Sequence, residues 1–200
     1  MTSFTKQTLI TLYSKGMSLT DLSNNLHCSI HKITYWMRKY DIKRRSRSDA
    51  AYIQANPQGN PFHIHYPQTP SEHFLYGLGL GIYWGEGTKA TNFAVRVANS
   101  DPGIILTFRK FLISICHIDL TRVRYSIVAF NDSDIHTVKS YWSKQLKISS
   151  DKFGKIVQIP TQGKGTYKRK SQHGVCTITV SNTKLKAWIM GELKKVSMPG

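Results

Sequence analysis

The chain has 200 residues, enough for one large domain or two small ones, and its 40% hydrophobic and 20% charged residues exclude a disordered polymer. Its 28 Lys and Arg against 11 Asp and Glu give a net charge of +17 and a pI near 9.9. Residues 1–57 carry nine of these cations against three acids and residues 58–200 carry nineteen against eight, so both halves are basic and a polyanionic partner, nucleic acid foremost, is expected. Cys28, Cys116 and Cys176 are odd in number, far apart and form no C-x-x-C pair, which argues against a disulfide frame or a cysteine zinc site and for reduced thiols. The N-terminus lacks a secretory apolar core, and the apolar run at 74–85 is shorter than the roughly 20 residues that span a bilayer. A soluble cytoplasmic protein, nucleoid-associated in a bacterium, with no membrane contact, is expected.

Residues 4–14 read as a short helix, with Leu9, Ile10, Leu12 and Tyr13 on its apolar side and Gly16 as its stop. Ser18 with Asp21 forms an approximate capping box for a second helix ending near Leu26. Ser29 caps a third helix over 30–40, with Ile33, Trp36 and Met37 inward. Two short helices joined by a tight turn, from Gly16 to Met37, resemble the resolvase-type helix-turn-helix. That resemblance implies that Ser29, His31, Lys32 and Tyr35 face base edges or phosphates of double-stranded DNA. Lys43, Arg44, Arg45 and Arg47 follow as a basic arm that can lie along phosphates or enter the minor groove.

The sequence divides into a helix-turn-helix domain over 1–55, a linker over 56–70 rich in Pro and His, and a second domain over 71–200. His63, His65 and His73 fit no standard zinc spacing and read as linker residues. In the second domain Ser71 is the expected cap of a helix ending at Glu86. Gly77, Gly81 and Gly85 recur every four residues along one face of it, which leaves that face without side chains. Each glycine within a helix costs about 1 kcal/mol against alanine, and close approach of a second backbone offsets such a cost. Glu86 sits against the negative end of the helix dipole, and the placement points to a metal ligand or to a surface acid ending a packed helix. Gly77-Leu-Gly-Leu-Gly81 fits neither a dinucleotide fingerprint nor a P-loop.

Further on, 92–99 alternates as a strand exposing Arg96, Asp101-Pro102 opens a helix, and 122–130 reads as a strand with Arg122, Arg124 and Ser126 on one face. A helix over 134–146, a strand over 154–160, a strand over 175–180 and a closing helix over 183–196 complete the order. Between the last two strands, Lys164, Lys168, Arg169 and Lys170 sit in a glycine-containing loop suited to a phosphate backbone.

Leu80-Gly-Ile-Tyr-Trp-Gly-Glu-Gly87 resembles a divergent LAGLIDADG motif, the signature helix of one homing endonuclease family, and the likeness extends over residues 71–196. Gly81 and Gly85 fall on its small packing positions, Glu86 on its last acid and Gly87 on its final glycine, while Trp84 replaces an earlier acid. The resemblance implies an α+β fold, an αββαββα saddle here carrying an extra helix, preceded by the small all-α domain. It implies a homodimer packed through Gly77, Gly81 and Gly85, with Mg²⁺ held at Glu86 and Gly87 at the symmetry axis. The implied activity is site-specific hydrolysis of both strands of DNA, as in a mobile genetic element, with Lys89 as a candidate to stabilise developing charge. The alternative is a DNA-binding transcriptional regulator on the same fold without cleavage. Trp188-Ile-Met-Gly-Glu192 partly echoes the motif but lacks the glycine repeat and reads as an ordinary closing helix.

Overall fold

Helix caps set the frame of the N-terminal half. In the computed structural model, which describes residues 5–160 and 172–197, Thr5 caps α1 (Lys6–Ser14) and Ser18 with Asp21 forms a full capping box on α2 (Leu19–Asn25). Ser29 caps α3 (Ile30–Lys39), its hydroxyl oxygen accepting the Lys32 N–H at 3.3 Å. Leu9, Leu22, Ile33 and Met37, drawn from three helices, form a buried core ringed by Leu12, Leu26, Trp36 and Tyr40. A fourth helix, α4 (Arg47–Ala55), starts at the Ser46 cap and buries none of its residues. The chain divides into two compact units, Met1–Pro61 and Phe62–Gly200.

The boundary between the two units falls within 56–70, the stretch expected to be a linker, and residues on each side of it are engaged by their own unit. Asn56 is buried and its amide donates to the Tyr52 carbonyl at 2.8 Å, closing α4. Phe62 and Ile64 pack on the core of the second unit, and the N–H groups of His63 and His65 donate to the carbonyls of Cys116 and Ile115 at 3.1 and 2.8 Å. Four prolines preclude a regular element, but the apolar side chains between them still find surface to cover.

The second unit opens with α5 (Pro70–Glu86). Its cap is Thr69, two residues before the expected Ser71, because Pro70 suits the first helical position and Glu72 completes a capping box. Then follow β1 (Val95–Asn99), α6 (Pro102–Ser114), β2 (Val123–Phe130), α7 (Ile135–Leu146), β3 (Val157–Ile159), β4 (Val175–Val180) and α8 (Thr183–Ser197). Among the described residues the sheet runs β1-β4-β2-β3, antiparallel except for the β2/β3 pair, whose strands are joined through α7. The fold is α+β, as expected. One regular strand lies between α5 and α6; before it, Gly87 makes an isolated antiparallel bridge to Val97 and the Thr88 N–H donates to the Arg96 carbonyl at 2.9 Å.

Strand alternation sends Val95, Val97, Val123, Tyr125, Ile127, Cys176, Ile178 and Val180 into one core. Tyr83 of α5, Phe108 and Phe111 of α6 and Trp188 of α8 meet that core as a run of stacked rings. At Gly79 the ring of Phe111 comes so near that an added Cβ would sit 2.2 Å from its Cγ. That close approach explains one glycine of α5 within a single chain.

Candidate functional site

Among the described residues, nothing meets the bare face of α5. A Cβ added at Gly77, Gly81 or Gly85 would find no atom within 4 Å. Phe74, Leu78 and Trp84 lie at i, i+3 and i+4 spacing with these glycines and are 71%, 39% and 49% exposed. The face is therefore an apolar, flat stripe of three large side chains and three glycines open to solvent, an unusual surface for a soluble domain. Helical periodicity turns Leu75, Gly79, Leu80 and Tyr83 inward and leaves this stripe outward.

Glu86 closes the stripe. Its side chain is exposed, and among the described residues no hydrogen bond or ion pair engages it. Glu192 of α8, in the partial echo of the motif, differs: it accepts from Tyr76 Oη at 2.7 Å and from Lys195 Nζ at 2.7 Å, an acid used for packing. After Glu86 the chain turns sharply. Gly87 is buried, its N–H donates to the Tyr83 carbonyl at 2.9 Å, and a Cβ there would lie 2.3 Å from that oxygen, so no other residue fits. The ammonium of Lys89 reaches back to the Trp84 carbonyl, placing a cation on the negative end of the α5 dipole.

Sequence reasoning missed Lys186. It lies on α8 and is 2% exposed, yet among the described residues no carboxylate is bonded to it. Its ammonium donates to Tyr83 Oη at 2.5 Å and to the Thr88 carbonyl at 2.6 Å, while Tyr83 Oη donates to the same carbonyl at 2.8 Å. Burial, and then the charge of Lys89, hold the Lys186 amine below its ordinary pKa, and burial pushes the Tyr83 phenol up to about 12. Two lysines thus flank the turn that presents Glu86. The signal available in the sequence was a lysine at a position the amphipathic pattern of α8 assigns to the core, between Leu185 and Ile189.

Other expected site residues scatter by role. Arg96 and Arg124 are exposed and both pair in register with Thr179, so they share one row across β1, β4 and β2 on the face away from the core. Arg122 is not in that row: β2 begins at Val123, and Arg122 ends a 3₁₀ turn that precedes it. On α3, His31, Lys32 and Tyr35 are exposed, Tyr35 at 60%, while the Ser29 oxygen is engaged as the helix cap. Lys43, Arg44 and Arg47 are exposed, but they do not form a free arm, because α4 starts at Arg47. Arg45 is not available to a ligand: its guanidinium donates to the carbonyls of Gly16 (3.0 Å), Met17 (3.1 Å) and Tyr13, and stacks 3.8 Å over the Tyr13 ring. Lys164, Lys168, Arg169 and Lys170 lie outside the described residues.

Among the described residues, no group of three or more His, Cys, Asp or Glu side chains is placed to hold a metal, and no helix is long and apolar enough to cross a membrane. His65 lies 3.1 Å from Glu72 and the rings of His63 and His65 are near that of His117, without forming such a group. In comparisons with known proteins, the chain matches no family model, no curated protein and no solved structure.

Proposed function

We propose that the chain is a divalent-metal-dependent double-strand DNA endonuclease of the LAGLIDADG homing type, acting as a homodimer through α5. The observation that carries this reading is the pairing, on one helix, of an open apolar glycine stripe with a terminal carboxylate that has no partner among the described residues, in a chain of net charge +17. Two copies packed along the stripe would bury Phe74, Leu78 and Trp84, offset the helix cost of Gly77, Gly81 and Gly85, and bring two Glu86 carboxylates together.

An unpaired carboxylate is a hard oxygen donor and fits Mg²⁺, while one carboxylate per protomer is too few to hold it, so the second copy completes the site. Bound there, the ion would supply Lewis-acid stabilisation and an activated water at the scissile phosphodiester. The protein's own part is positioning. Gly87 permits the turn that aims Glu86, and the turn is held by Lys186 and Tyr83 on Thr88. Lys89, exposed just after the turn, is the candidate to stabilise negative charge developing on the leaving oxygen, while Lys186 is buried and engaged by Tyr83 and Thr88. The exposed row of Arg96 and Arg124, and the exposed residues of α3, supply cations and donors for DNA.

The test is cleavage of a plasmid library in Mg²⁺ by the wild type and by Glu86→Gln. The expected result is linear product from the wild type and a loss of at least about a hundredfold in the variant, the scale on which removing a group that stabilises the transition state acts. Cleavage that persists unchanged in Glu86→Gln would remove the assignment. Specific binding without cleavage by the wild type in either Mg²⁺ or Mn²⁺ would instead support the regulator.

A further inference from the structure

The first unit contains a cleft of about 740 Å³ between the α1–α2 turn and the segment that leads into α4. Lys15, Arg44, Arg45 and Arg47 line it against a single acid, Asp21, so its charged side chains sum to +3. Asp21 is already engaged, accepting the Ser18 N–H at 2.8 Å. Arg45 is engaged too, on three carbonyls and the Tyr13 ring. The side chains of Lys15, Arg44 and Arg47 are exposed, and among the described residues no hydrogen bond or ion pair engages any of them. Three unpaired like charges around one concavity repel one another, and a low-dielectric wall focuses their field into it. An anion relieves that repulsion.

We propose that this cleft seats a phosphate of a nucleic-acid backbone, held by Lys15, Arg44 and Arg47. The identity of the partner rests on the DNA-binding part of the function proposed above; the cleft itself rests on its own geometry. None of its lining residues belongs to α3, so it is a contact separate from the exposed face of that helix. Arg45 acts as the floor: by fixing residue 45 to the α1–α2 turn it holds Arg44 and Arg47 beside Lys15. The basic segment is thereby a fixed backbone clamp and not an arm for the minor groove. Ammonium and guanidinium groups are donors only, which matches the non-bridging oxygens of a phosphodiester and carries no base preference.

The experiment is a salt titration of binding by the full chain to a mixed-sequence duplex, read by fluorescence anisotropy, for the wild type and the triple variant Lys15→Ala, Arg44→Ala, Arg47→Ala. The expected result is an unchanged unfolding midpoint and a log K against log salt slope shallower by about 1, since each neutralised phosphate contributes about 0.9. A triple variant with the wild-type slope overturns the clamp. So does a variant that keeps its slope on DNA but loses binding to phosphatidylserine vesicles, which assigns the cleft to a lipid surface. A wild type with no affinity for duplex at low salt overturns the DNA reading itself, an outcome separate from equal slopes.

Discussion

Gly77 and Gly79 lie two residues apart on α5 and meet opposite surroundings. A methyl group at 79 would strike the ring of Phe111, whereas one at 77 enters open space. Gly79→Ala is expected to lower stability by about 1–3 kcal/mol through overpacking, and Gly77→Ala to raise that of the protomer by up to about 1 kcal/mol. Denaturant unfolding checks both; equal shifts of one sign would contradict the α5–α6 contact described. At the other end of α5, Glu72 accepts the N–H groups of Gln68 and Thr69 at 2.8 and 3.0 Å, and these bonds hold its carboxyl at about 2, below the ordinary 4.5. The unfolded chain therefore takes up this proton first on acidification. The stabilisation from Glu72 is full above about pH 4.5 and is lost as pH falls toward 2. In acid unfolding series, the gap between wild type and Glu72→Gln should close over that interval; a gap independent of pH would contradict the cap.

At the scale of elements, local chemistry was legible and distant chemistry was not. The caps Ser18 and Ser29 were read correctly because capping involves residues three apart. The same logic applies at Ser46 and Asp49, but the cations at 43–47 drew that stretch as a basic arm for DNA and hid α4. The partners of Arg45 lie 28 to 32 positions upstream, beyond any local pattern. Lys186 was missed for the same reason, since Tyr83 and Thr88 precede it by 103 and 98 positions. The glycine spacing of α5 did set Gly77, Gly81 and Gly85 on one bare face apart from Gly79, yet it could not show that Gly79 packs against Phe111 within the protomer while the other three face outward. That separation narrows the proposed seam to the stripe from Phe74 to Gly85.

For the whole molecule, two basic units with distinct surfaces fit the division of labour proposed: backbone clamp and α3 on the first, and on the second a cationic sheet row beside a seam that ends in Glu86. In the proposed dimer the seam and the chemistry are linked, because the stripe of each protomer ends in one carboxylate, Glu86. Gly81→Arg separates them from folding and from the first unit, since residue 81 faces open space in the protomer. The direct measurement is Mg²⁺-dependent linearisation of a plasmid library by Gly81→Arg at DNA occupancy matched to the wild type. The account predicts that the variant folds and binds DNA but that double-strand cleavage falls at least about a hundredfold, as expected when paired groups lose their alignment. Cleavage of both strands at the wild-type rate would contradict it.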